Sequence, residues 1–296
     1  MSARLRSALA QTGLSRGSKV CCVMDNTQFS RFAPLLRDMT EAQLASEIER
    51  PRRLLLGIGM AGGKRIDIAY APLDHVNADA RIVIVGLTPG RQQMRNALME
   101  ARRCLRAGRS EADIQTAVKA FASFSGPMRA NLVAMLDSIG VNRLLGLQSV
   151  ASLWESDAHL AHFTSALRYP VFIDGKNYSG APPLLTTPLL REQFMTRFVA
   201  EAAALRHAIF VPLGPKVGDA VEFAAGKFGL DRNQVLVGVP HPSGANAERI
   251  AFFLGRKARQ ALSPQVRPER LIAARTELKA KIAILAAEHV ERAQKA

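Results

Sequence analysis

Residues 81–90 read Arg81-Ile82-Val83-Ile84-Val85-Gly86-Leu87-Thr88-Pro89-Gly90, and this stretch decides the fold. Four β-branched residues run into a turn built on two glycines and a proline. Behind the turn, Gln92 to Leu105 carries Met94, Leu98, Ala101 and Leu105 at helical spacing. A short apolar run, a tight exit and an amphipathic helix make a strand–helix unit. Three further runs repeat the theme, roughly Ala161 to Leu167, Ala208 to Leu213 and Val235 to Val239, each followed closely by Gly or Pro. Helical patterns also cover Glu111 to Phe121, Arg129 to Ile139 and Leu190 to Arg206. Strand then helix, repeated, predicts an α/β fold: a central, mainly parallel four-stranded sheet between helices, a three-layer α-β-α sandwich. Ligands bind such sheets beyond the carboxyl ends of the strands, so the loops after Val85, Leu167, Leu213 and Val239 are expected to converge on one cleft.

Outward from this core, Arg53 to Ile58 and Arg65 to Ala71 flank the Gly-rich turn Gly59-Met60-Ala61-Gly62-Gly63-Lys64 and read as a hairpin or an edge pair. Residues 1–50 are expected to form a helical cap, 51–262 the α/β domain, and 263–296 a terminal helix docked on it. In that helix, Glu269 to Arg292, Leu271, Leu278, Ile282 and Leu285 share one face. Asp174 to Gly180 is polar and bounded by glycines, and reads as a DNA-contacting loop, a lid or an ordinary connection.

The chain has 296 residues, 48% of them hydrophobic, enough for a sizeable core. Its 40 Lys and Arg against 25 Asp and Glu give a net charge of +15, spread along the sequence, which excludes a disordered or low-complexity chain and points to a polyanionic partner. No apolar stretch approaches the roughly 20 residues of a membrane helix, and the first residues lack the apolar middle of a secretory signal. A cytoplasmic monomer with no membrane association, close to the nucleoid if bacterial, is the expectation. Three cysteines, Cys21, Cys22 and Cys104, and six histidines show no metal-ligand spacing, so no metal and no cofactor is expected. Arg91, Arg95, Arg102, Arg103, Arg106 and Arg109 form a basic stripe on one helix, read as a nucleic-acid contact over a merely solvated face.

The turn Gly86-Leu87-Thr88-Pro89-Gly90 and the last loop, Pro240-His241-Pro242-Ser243-Gly244-Ala245-Asn246, stand on the first and last predicted strands. Between them lie Phe121-Ala122-Ser123-Phe124-Ser125-Gly126 and the strand exit Phe163-Thr164-Ser165-Ala166-Leu167-Arg168-Tyr169-Pro170. In this order the elements resemble the active-site motifs of the uracil-DNA glycosylase superfamily, over about Ile82 to Arg256. The resemblance implies that family's fold and the hydrolytic removal of uracil, or a related damaged or modified pyrimidine, from DNA in base excision repair. It places Thr88 where the attacking water is positioned and His241 where the leaving base is stabilised. It also makes Leu87, Gly90, Phe124 and Ser165 base-binding residues, Phe124 stacking on the extruded base and Ser165 standing where an Asn reads it. Arg91, Arg95, Ser243, Asn246 and Arg249 are implied to hold DNA.

Physical chemistry asks for the same residue types. Extruding a base from its stack requires an aromatic surface and polar edge readers. Breaking the glycosidic bond leaves negative charge on the base, which a donor such as His241 stabilises. Ser243 and the helix start after it suit a phosphate, and Arg249 suits the DNA backbone or the vacated space. Two departures stand out: the Thr88 hydroxyl cannot act as a base near neutral pH, and Ser165 offers one hydroxyl in place of an amide. Gly90 occupies the position of a Tyr that blocks 5-substituted pyrimidines, implying a broader pocket. A non-catalytic nucleic-acid-binding protein with the same fold, and a nucleotide or phosphoester enzyme cradling phosphate at Gly90, are the alternatives.

Overall fold

The computed structural model describes residues 27–295, with side chains for 28–288 apart from Phe228. Cys21, Cys22 and the first half of the expected cap lie outside the described residues. The described cap is α1 (Thr27–Asp38) and α2 (Glu41–Glu49). Thr40 starts α2 through a reciprocal cap, its Oγ1 accepting from Gln43 N at 3.2 Å while Gln43 Oε1 accepts from Thr40 N at 2.8 Å. Phe29, Phe32, Leu36, Leu44 and Ile48 bury the cap in the same core as the rest of the chain. The buried Glu47 carboxylate then accepts from the backbone N–H groups of Arg52, Arg53 and Leu54, which turns the chain into the first strand.

The expected hairpin is β1 (Leu55–Ala61) and β2 (Lys64–Ala69), closed by Gly62 and Gly63 at φ 57° and 73°. Two positive φ values in a two-residue loop are the mirror-image turn that matches strand twist. β3 (Ile82–Gly86) follows, then α3 (Arg91–Arg106), α4 (Glu111–Ala122), α5 (Pro127–Ile139) and α6 (Val141–Leu144). β4 is Ala161–Ser165. The Asp174 to Gly180 stretch is only in part a loop. It supplies the turn and second strand of a small hairpin, β5 (Val171–Ile173) and β6 (Lys176–Asn177), and β5 pairs antiparallel with β2, giving a second sheet of order β1-β2-β5-β6.

One helical run covers Pro188 to Ala204, as expected, and is divided into α7 (Pro188–Gln193), a π-helical segment at Phe194–Val199, and α8 (Ala200–Ala204). β7 (Ile209–Pro212), α9 (Pro215–Phe228), α10 (Ala247–Phe253) and α11 (Pro268–Lys295) complete the chain. α11 packs on α5, α6 and α10. No helix among the described residues is long and apolar enough to cross a membrane.

The central sheet is parallel, in the order β4-β3-β7. It has three strands where four are expected. Val235 to Val239 joins β7 only through single parallel bridges, Phe210 to Val235 and Leu213 to Val239. Gly238 stands at φ 119°, outside the conformations of a strand, and α11 crosses so close that a Cβ there would lie 2.8 Å from Ala274 Cβ. β3 feeds two cores by simple alternation. Val83 and Val85 pack with Met94, Leu98 and Val118, whereas Ile82 and Ile84 pack with Leu132, Met135, Leu136 and Leu278. Helices therefore cover both faces of an α/β sheet.

Candidate active site

β3 and β4 end side by side, Gly86 in register with Ser165. A Cβ on Gly86 would sit 3.3 Å from Ser165 Oγ and 3.6 Å from Phe124 Cζ, so the two strand ends and the loop between α4 and α5 meet at one point. A cavity opens there, lined among others by Pro89, Lys119, Phe124, Thr164, Ser165 and Arg168. Its volume, about 10 Å³, suits one water and no base ring. Phe124 closes it. The ring is buried, edge-on to Phe163 at 6.0 Å, and Phe163 stacks on Trp154 at 4.5 Å. Phe124 also has φ 48°, a left-handed conformation that costs a bulky residue on the order of 1–3 kcal/mol. The loop is pinned by Trp154 Nε1 donating to Ser123 O at 3.0 Å and by Asn96 Nδ2 donating to Ser125 Oγ at 3.0 Å.

Other sequence-predicted residues sit elsewhere or are already engaged. Thr88 Oγ1 donates to Tyr169 O at 3.0 Å and accepts from Val171 N at 3.2 Å, clamping the β3 exit to the β4–β5 connection. Its proton is spent, which leaves one lone pair for a water. Leu87 packs into the core, and its carbonyl accepts from Leu167 N, so its side chain does not line the cavity. Gly90 faces Asn177, whose Nδ2 would lie 3.5 Å from an added Cβ, and Asn177 Oδ1 accepts from Arg91 N at 3.0 Å. β6 thus fills the space expected to broaden the pocket and occupies the helix start that a phosphate would need.

His241 is half-buried beside Gly214, at the end of β7, and lies outside the lining of the Phe124 cavity. Burial depresses its pKa, and Nδ1 accepts from Ser243 N at 3.3 Å, which leaves a neutral ring with its proton on Nε2. Asn131 of α5 donates to Pro242 O at 3.0 Å and ties this loop to the element that follows Phe124. Ser243 Oγ accepts from Asn246, and Arg249 donates to Asn246 Oδ1 and to Gln265 O.

The basic stripe on α3 is largely a structural device, which corrects the nucleic-acid reading of Arg91. Its guanidinium donates to Ile48 O, Glu49 O and Gly175 O and lies 4.6 Å from the Phe172 ring centre. Arg102 and Arg106 both donate to Met39 O, Arg106 also to Arg37 O, and Arg103 pairs with Glu100. The carbonyls at the ends of α1 and α2 have no intrahelical partner and carry the negative end of the helix dipole, so arginines of α3 bind the cap there. Arg95 has no such partner among the described residues.

Beside the cavity lies a charge cluster that the sequence reading passed over. Glu201 of α8 is fully buried, accepts from Arg168 and lies 2.6 Å from His162 Nε2. Burial alone would raise this carboxyl, yet Arg168, His162 and Lys119 together hold it far below the usual range. Burial keeps His162 neutral and lowers Lys119 to about 8. Lys119 Nζ donates to Leu73 O at 2.9 Å. Asp74 accepts from Tyr70 and Tyr169, and burial raises its pKa. A signal existed, since Lys119 interrupts the apolar face that Ile114, Val118 and Ala122 give α4. Among the described residues no group of three or more His, Cys, Asp or Glu is placed to hold a metal.

No protein-family model matches the chain, and no solved structure matches it. It is 38% identical over 208 residues to YoxB of Bacillus subtilis (strain 168), described as an uncharacterized protein, and the match covers 68% of this chain and 79% of YoxB. At that identity and coverage, the chain belongs to the family of YoxB.

Proposed function

We propose that this chain is a DNA glycosylase of the uracil-DNA glycosylase superfamily, hydrolysing the bond between deoxyribose and uracil or a related modified pyrimidine. The observation that carries this reading is the meeting of Gly86, Ser165 and Phe124 at the carboxyl ends of two neighbouring parallel strands. A strand end without a side chain, an aromatic residue and a hydroxyl beside it are the parts from which a base pocket is built once a base enters. The neutral His241, with its proton on Nε2, is prepared to donate to a carbonyl oxygen as charge develops on the leaving base, and it does so without first losing a proton. Water is held by the remaining Thr88 lone pair and backbone groups, in a reaction driven by departure of the base more than by a strong nucleophile. Entry of a base requires Phe124 to move, and release of its strained φ favours that movement.

Incubation with uracil-containing single- and double-stranded oligonucleotides, followed by alkali, should produce scission at the uracil, and His241→Ala should reduce it by at least about tenfold. Intact strands across uracil and 5-substituted uracils would sink the activity. Salt-sensitive DNA binding in that case would favour a non-catalytic DNA-binding protein, the reading to which the engaged Thr88 hydroxyl and the one-water cavity lend weight.

A further inference from the structure

The outer face of the antiparallel sheet carries a groove of about 790 Å³ that shares no lining residue with the Phe124 cavity. One wall is the end of α2, at Arg50 and Arg52, and the other is the β5–β6 turn, at Asp174 to Lys176. The acids of the lining are engaged. Glu49 lies 3.9 Å from the Arg91 guanidinium, Asp67 pairs with Arg65, and Asp174 accepts from Arg65 N. Arg50, Arg52 and Lys176 are exposed and have no side-chain partner among the described residues. Three uncommitted cations therefore stand on the two walls.

Arg91 ties the walls together. Its guanidinium donates to Ile48 O and Glu49 O on one side and to Gly175 O on the other, and these bonds fix the plane of the group. One face lies against Phe172, 4.6 Å from the ring centre. The side chain keeps 21% of its surface exposed and lines the groove, so the opposite face is open to a ligand. As a cation Arg91 is structural; to a ligand it offers a flat surface of the kind on which nucleobases stack. Apolar surface continues from there along the sheet. Ile58 and Met60, 55% and 66% exposed, pair with Asp67 and Arg65 across β1 and β2, which puts them on the same face. A ligand made of phosphates alone leaves that surface unused, and a duplex keeps its bases inside. We propose that this groove binds a single-stranded polynucleotide, its phosphates on Arg50, Arg52 and Lys176 and its bases on Arg91, Ile58 and Met60. A free nucleotide requires cations gathered around one phosphate, whereas these are spread over two walls. The proposal does not depend on the glycosylase reading, which concerns a different site.

Fluorescence anisotropy with a labelled oligothymidylate of about 20 nucleotides tests the proposal. The strand should bind at least about tenfold tighter than an abasic strand of the same length, which keeps the phosphates and lacks the bases. The triple variant Arg50→Gln, Arg52→Gln, Lys176→Gln should lower the slope of log affinity against log salt by about two, and change affinity for duplex DNA less than about threefold. These side chains are exposed and unpartnered, so the variant should keep its fold, as circular dichroism would record. Lys279→Gln, an exposed cation of α11 outside the groove, should leave the slope unchanged. Arg91→Lys keeps the charge and loses the plane, and should remove the preference over the abasic strand. Should it not fold, the comparison of the two strands on the native chain still decides. Equal binding of the abasic strand, an unchanged salt slope in the triple variant, or thymidine monophosphate binding as tightly as the strand would overturn the proposal. So would phosphatidylglycerol vesicles that displace the strand and lose their own binding in the triple variant, which would give the surface to a membrane. Uracil scission in duplex DNA should persist in the triple variant, and its absence from the native chain would count against the glycosylase reading alone.

Discussion

The arginines along α3 and the cation pair at the cavity are the same residue types in opposite circumstances. On α3, Arg91, Arg102 and Arg106 spend their guanidiniums on backbone carbonyls at the ends of α1 and α2. At the cavity, Lys119 is buried with a single hydrogen bond, to Leu73 O, and Arg168 keeps an Nε–H without a partner. Counting positive charges draws the eye to the first group, because six arginines lie within nineteen residues. Buried guanidinium nitrogens without a partner lie elsewhere, at Arg168, Arg129 and Arg275. Hydrogen-bond accounting thus tells apart two groups of cations that charge density alone treats alike.

The contrast breaks most visibly at Glu201. Removing one partner from a buried ionic network leaves uncompensated charge, so Glu201→Ala should lower stability by about 3–5 kcal/mol in urea unfolding. A loss below about 1 kcal/mol would mean that the cluster is solvated in solution.

Lys119 sharpens it through pH. The folded pKa of about 8 lies below the ordinary 10.5, so between those values the unfolded chain holds a proton that the folded chain has shed. Raising pH through this window therefore favours the folded state. The stability of the native chain minus that of Lys119→Met should rise between pH 8 and 10.5, by up to about 3 kcal/mol. Taking the difference removes Tyr70 and Tyr169, whose raised pKa values act in the opposite direction. A flat difference would show that Lys119 is not desolvated.

The smallest effect lies in the stripe itself. Arg91→Met should cost about 1.5–3 kcal/mol of stability, through its lost carbonyl partners and its contact with Phe172, with little change in the salt dependence of DNA binding. Arg95→Ala should leave stability unchanged and lower the slope of log affinity against log salt by about one. The reverse pattern would restore the nucleic-acid reading of Arg91.

Much of the architecture was legible. β3, with its unbroken apolar run and Gly-Pro exit, and α3, with its regular spacing, are long or extreme enough to declare themselves. β5 and β6 are not, because three and two residues carry no readable period and their partner β2 lies about a hundred residues away. Val235 to Val239 has strand composition, but the approach of α11 to Gly238 overrides it. Of the site, Phe124 and Ser165 were readable from order along the chain, and the structure brings them together at Gly86. Lys119, Arg168 and Glu201 were not. Each is one polar residue within or beside an apolar run, and only their encounter across α4, β4 and α8 gives them meaning.

By itself the sequence determined the α/β alternation, the turn chemistry at Gly86 to Gly90 and the sign of the surface charge. These follow from local sterics, periodicity and composition, which need no partner to be expressed. Only the tertiary structure decided which donors were spent. A hydrogen bond between residues 81 positions apart, such as that of Thr88 to Tyr169 O, depends on the spatial coincidence of two groups, and no residue carries that information alone.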